Sequence, residues 1–139
     1  MATVLVPVDE SERAQAACKL AADLFPDGKV VLLHVINPAE AGFSADAAMP
    51  TFPEGWYDQE KERAESMLDD AEASIEGVTV ERVVEVGQPT GSIIDAIEEY
   101  DVDHVVMGSH GRQGVSRLLL GSVAENVVRR SPVPVTIAR

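Results

Sequence analysis

Residues 103–122 read Asp103-His104-Val105-Val106-Met107-Gly108-Ser109-His110-Gly111-Arg112-Gln113-Gly114-Val115-Ser116-Arg117-Leu118-Leu119-Leu120-Gly121-Ser122. Asp103–Met107 is short, ends in the apolar run Val105-Val106-Met107 and reads as a strand. It runs directly into three glycines within seven residues. Glycines there permit positive φ and let the backbone approach a ligand closely, so that amide N–H groups face whatever binds. Gly121-Ser122 follows, and Ser122 with Glu125 has the S-x-x-E spacing of a capping box, which predicts a helix starting there and continuing through Arg130. A helix amino end carries about half a positive charge and free N–H donors. With Arg112 and Arg117 nearby, a phosphate is the natural guest.

The same strand–loop–helix rhythm extends in both directions. Ala2–Val8 is a short apolar run ended by Asp9-Glu10-Ser11, which supplies helix-start chemistry. Glu12–Phe25 is Ala-rich, with Ala17, Leu20, Ala21 and Leu24 at helical spacing, and Pro26-Asp27-Gly28 stops it. Lys29–Ile36 is nearly continuous in apolar residues and reads as a second strand. Residues 37–55 carry three Pro and two Gly without a sustained period, long for a connection within one domain. Trp56–Glu76 reads as a charged helix with Ala64, Met67, Leu68, Ala71 and Ile75 on one stripe, and Val78–Val86 as a half-exposed strand. Gly87–Gly91 reads as a turn, Ser92–Tyr100 as a short helix burying Ile93, Ile94 and Ile97, and Val133–Ala138 as the last strand. Strict β-α alternation with short apolar strands predicts a parallel sheet with helices on both faces, the doubly wound α/β class, in one domain spanning residues 1–139.

Composition narrows the functions open to this fold. The chain has 139 residues, long enough for a self-supporting core without disulfides, and its single cysteine, Cys18, lies in the Ala-rich helix as an expected buried, inert thiol. No apolar run approaches a membrane span and the amino-terminal stretch lacks a basic region, so a cytoplasmic location without membrane insertion is expected. The net charge of -13 argues against nucleic-acid binding. Eight Arg and three Lys against 24 acids resemble the surface of a halophilic protein, which loses stability as salt is removed; an ordinary acidic cytosolic protein is the alternative. The charge is uneven: residues 105–139 hold five Arg and one acid, so an acidic chain carries one cationic, glycine-rich segment. An anionic-ligand site or a contact surface would both look like this.

Neither a Walker A loop nor a G-x-G-x-x-G dinucleotide fingerprint occurs, and nothing has the spacing of a protein metal site. Gly108-x-x-Gly111, nine residues, then Gly121-Ser122 matches in full the G-2x-G-9x-G-[ST] signature of the ATP-binding branch of the universal stress protein family. The chain also resembles that family at Leu5–Asp9, His34-Val35, Gly87-Gln88-Pro89, Asp103–Gly108 and Ser131–Val135, which is nearly its whole length apart from residues 37–60.

The resemblance implies an open five-stranded parallel sheet of order 3-2-1-4-5, and such sheets bind ligands where the strand order reverses. It implies ATP with Mg or Mn bridging the phosphates, Asp9 and Val35 holding the adenine, Met107 and Gly108 against adenine and ribose, and Gly111, Gly121, Ser122 and Val123 cradling the triphosphate. Pro7 and Val8 would line the adenine pocket, and Arg112 is our addition as a phosphate contact. Asp9 also fits as the N-cap of the following helix, a compatible role. His110 either touches the anion or faces solvent, whereas His34 and His104 read as satisfied structural histidines. Pro134 cannot donate to a ladder, so Val133, Pro134, Val135, Thr136 and Ile137 form an edge strand, through which the family resemblance implies a homodimer. No Walker lysine or general base is evident, so slow ATP hydrolysis is the most catalysis expected. Two readings follow: a dimeric ATP-dependent stress-response switch acting on an unknown protein partner, or a nucleotide-independent interaction module of the same fold. A flavodoxin-like electron carrier ranks below both, because aromatic residues make up only 4% of the chain.

Overall fold

The computed structural model describes residues 1–9, 12–41, 55–109 and 120–139. Three strands with unbroken buried apolar runs occupy the centre of the sheet. They are β1 (Thr3–Pro7), β2 (Lys29–Ile36) and β4 (His104–Gly108), and β3 (Thr79–Val86) and β5 (Val135–Ala138) flank them. The order is β3-β2-β1-β4-β5 and every pairing is parallel. Val4, Leu5, Val6, Val30, Val31, Leu32, Val105 and Val106 are fully buried, which explains why these strands show no polar alternation.

Successive side chains enter opposite cores. Val4, Val6, Val30, Leu32 and Val106 meet α1 (Glu12–Leu24) and α2 (Trp56–Ala73) on one face. Leu5, Val31, Leu33, Val105 and Met107 meet α3 (Pro89–Glu99) and α4 (Ser122–Arg130) on the other. The buried face of α1 is Ala14, Ala17, Cys18 and Ala21 rather than the stripe ending at Leu24, which is 49% exposed. Small residues on that face let the helix lie close to the sheet. The edge strand β3 is tied to α2 by Arg82, whose guanidinium donates to Asp69 Oδ1 at 2.7 Å and to Glu65 Oε2 at 2.9 Å.

Three boundaries differ from the sequence expectation for local reasons. α3 begins at Pro89, inside the expected turn, because proline suits a first helical position and the Gln88 side chain accepts from the Gly91 N–H at 2.7 Å. α2 stops at Ala73, where Ser74 Oγ turns back to donate to the Ala71 carbonyl at 2.6 Å. β5 starts at Val135, so Val133 and Pro134 precede the strand, although the Pro134 carbonyl still accepts from the Val105 N–H at 2.9 Å. Residues 42–54 of the long expected loop lie outside the described residues; its start forms a short 3-10 turn at Pro38–Ala41.

Candidate nucleotide site

β1 and β4 are parallel neighbours whose chains leave in opposite directions. The chain from β1 passes through Val8-Asp9 to α1 on one face, and that from β4 through Gly108-Ser109 towards α4 on the other. Divergent exits leave a crevice at the carboxyl ends of the two strands, the place where ligands enter such sheets.

Two backbone bonds fix the β4 side of that crevice. The Ser109 N–H donates to the Ala138 carbonyl at 2.9 Å, and the Gly121 N–H donates to the Ser109 carbonyl at 2.7 Å. The residues on either side of the glycine loop are thereby held together, with Ser109 only 4% exposed. Gly121 is the N-cap of α4 and Ser122 its first helical residue. The expected capping box is therefore not formed: Glu125 falls one position too far along to reach back to the cap, and its side chain instead pairs with Arg129 at 2.9 Å. The first helical bond is from the Glu125 N–H to the Gly121 carbonyl at 2.9 Å, so the amides of Ser122, Val123 and Ala124 precede it. No side-chain cap bonds to them at Gly121. An anion is the complement of such an end.

The β1 side is read from the ladder. Val8 N–H donates to the Leu33 carbonyl at 2.8 Å. In a parallel strand the N–H and C=O of one residue point to the same side, and alternate residues share a side. Leu33 faces β1, so Val35 does too, one step beyond the last β1–β2 pair, Pro7 and Leu33. His34 Nδ1 meets the Val8 carbonyl at 2.7 Å.

Pro7, Val8, Asp9, Val35, Met107, Gly108, Gly121, Ser122 and Val123 all lie around these strand ends and the α4 amino end. The side chains of Val8 and Met107 are buried in opposite cores, 5% exposed each. Gly111, Arg112 and His110 lie outside the described residues. Arg129 and Arg130 occupy the last turn of α4, about 12 Å from its start, where they complement the helix carboxyl end rather than the crevice. Their contribution to the cationic segment is thus remote from the site.

Two residues at the site carry no motif in the sequence. Ser109 is the buried residue just described, whose backbone bonds to Ala138 and Gly121. Arg13, in the first turn of α1, packs so closely on Gly108 that a Cβ added there would stand 2.7 Å from Arg13 Cβ. A basic residue in an otherwise acidic stretch was the only available signal.

His104 and Cys18 are held by contacts away from the crevice. His104 Nε2 lies 2.6 Å from Thr136 Oγ1, and its ring sits 5.1 Å from that of Phe25. Burial pushes the Cys18 thiol up to about 11, outweighing a lowering hydrogen bond with Ser74. An unfolded chain loses this proton near pH 9 and the folded one near 11, so over that window the unfolded state binds fewer protons and stability falls as pH rises. Unfolding free energies from denaturant titrations at pH 8 to 11 should fall more steeply in the wild type than in Cys18→Ala, by up to about 1.4 kcal/mol per pH unit.

The model of the universal stress protein family matches residues 1–139. The chain is 31% identical to universal stress protein MJ0577 of Methanocaldococcus jannaschii, covering 98% of this chain and 93% of that one. The solved structure of MJ0577 superposes with a TM-score of 0.83 at 32% identity, over 99% of this chain and 94% of the other. Universal stress protein G of Escherichia coli O157:H7 is 32% identical, over 99% and 98% of the two chains. A universal stress protein solved in complex with cAMP superposes with a TM-score of 0.67 at 25% identity, covering 99% and 96%.

Proposed function

We propose, from the premise that this chain belongs to the universal stress protein family, that it binds ATP with Mg or Mn and works as a dimeric, nucleotide-dependent stress-response switch. The observation that carries this reading is the convergence at the switch point of the sheet. Backbone groups of Val35, for which no bond is found among the described residues, lie beyond the end of β1, and the amino end of α4 is held to β4 by the 2.7 Å bond between Gly121 and Ser109. A same-residue N–H and C=O pair is the complement of an adenine edge, which offers an acceptor at N1 and a donor at N6. Guanine presents the opposite pair and fits badly. The amides of Ser122 and Val123 suit phosphate oxygens, with Gly111 and Arg112 as further contacts, and the metal would bridge those oxygens with few protein ligands. A structural neighbour complexed with cAMP supports an adenine nucleotide as the ligand class. Calorimetric titration with Mg-ATP and Mg-GTP tests the reading: one site per chain with at least tenfold preference for ATP is expected, and equal or absent heats overturn it.

The dimer would form through β5. Pro134 and Ala138 direct their carbonyls to β4, so by alternation Thr136 does as well, and Val135 and Ile137 present their N–H and C=O groups to the free edge. The nitrogen of Pro134 faces inward and does not blunt that edge. Ile137→Pro removes an outward N–H while leaving the β4 pairing intact, so light scattering should give one chain of 14.9 kDa rather than two. The acidic surface fits a halophilic protein of the cytoplasm, whose melting temperature should rise steadily with KCl up to molar concentrations.

In this reading the protein is not a dedicated enzyme. Any ATP hydrolysis would be slow and would serve as a timer, with the unknown protein partner sensing which nucleotide is bound.

A further inference from the structure

The β1–β2 ladder stops one rung early, and a side chain stands where the next rung would be. The last backbone bond runs from the Val8 N–H to the Leu33 carbonyl at 2.8 Å. One step further, the Val8 carbonyl would accept from the Val35 N–H, since Leu33 and Val35 both turn their backbone groups towards β1. Instead His34 Nδ1 meets that carbonyl at 2.7 Å, shorter than the ladder bond beside it. A carbonyl only accepts, so Nδ1 carries the hydrogen.

We propose that His34 is a positioning residue for adenine recognition: its imidazole satisfies the Val8 carbonyl in place of the Val35 amide, which keeps that amide available to the adenine ring and fixes the chain leading into Asp9. The inference rests on the nucleotide reading above and deepens it. His34 does not touch the ligand. It acts by withholding a backbone pairing that the strands would otherwise complete, and by anchoring the segment Val8-Asp9 from across the sheet.

The test uses the full chain with two variants and two readouts. His34→Leu removes the donor with little change in bulk, and His34→Asn restores a donor at the equivalent position. Amide hydrogen exchange by NMR on the nucleotide-free protein should find Val35 fast in the wild type and in His34→Asn, and at least tenfold slower in His34→Leu, where the ladder closes. Affinity for Mg-ATP should fall at least tenfold in His34→Leu and recover in His34→Asn, while affinity for inorganic triphosphate stays within twofold in both. A wild type that fails to bind Mg-ATP contradicts the nucleotide reading itself. A wild type that binds, with His34→Leu showing unchanged Val35 exchange and unchanged ATP affinity, overturns the role of His34 alone. Equal losses for ATP and triphosphate in His34→Leu also overturn it, since these mark a general loosening of the site.

Discussion

Replacing Gly121 with valine is expected to weaken Mg-ATP binding a hundredfold or more while leaving the melting temperature within about 2 °C of the wild type. The fold should tolerate the change because Gly121 has φ -65° and ψ 161°, an extended conformation open to any residue, and its N–H would still donate to Ser109. Binding should not tolerate it, because the isopropyl group would stand beside the Ser122 and Val123 amides where phosphate oxygens must approach. Each hydrogen bond to a charged group contributes about 1.5–3 kcal/mol, so losing two costs at least about 3 kcal/mol, or more than two decades in affinity. Calorimetry and a thermal melt on the same sample check both halves. Unchanged affinity in a folded variant would remove the amino end of α4 from the site.

Gly108→Val is expected to do the opposite in stability while sharing the loss of binding. A Cβ at position 108 would lie 2.7 Å from Arg13 Cβ and 3.3 Å from the Arg13 backbone. Neither neighbour is the free end of a flexible side chain, so α1 and the end of β4 must move apart. Overpacking of this kind costs about 1–3 kcal/mol, and the full valine belongs at the upper end. The melting temperature should drop by roughly 10 °C, with nucleotide binding lost because the crevice between β1 and β4 is the part displaced. A variant that melts like the wild type would mean that α1 does not bear on the strand end as described. Together the two glycines separate the contributions of the site: Gly121 keeps a ligand surface clear, and Gly108 permits close packing beneath it.

The strands were legible because burial on both faces writes itself as unbroken runs such as Val30–Leu33, and the alternation with helices followed from the punctuation between them. Strand order was not written in any local pattern and came from the family resemblance. Gly108 and Gly121 fall at the end of β4 and at the N-cap of α4, but the spacing of Ser122 and Glu125 suggested a capping box that the structure lacks, since a pattern of residue types cannot say which residue is the cap. The Arg-rich carboxyl-terminal segment does not act as one patch: Arg129 and Arg130 follow Ser122 closely in sequence yet sit at the opposite end of α4. Arg13, Ser109 and His34 make backbone approaches and cross-strand bonds to residues distant in the chain, 26 positions in the case of His34 and Val8 and more for Arg13 with Gly108 and Ser109 with Ala138, and no single-chain periodicity records such contacts.

The central claim is that an adenine nucleotide sits at the meeting of β1, β4 and α4. The most direct measurement is to purify the protein in molar KCl, denature it, identify any released nucleotide by chromatography and mass spectrometry, and titrate the emptied protein with Mg-ATP. The account predicts an adenine nucleotide approaching one per chain, or one binding site per chain on titration. A protein that releases none and gives no heat with Mg-ATP would contradict it and leave an interaction module built on the same sheet.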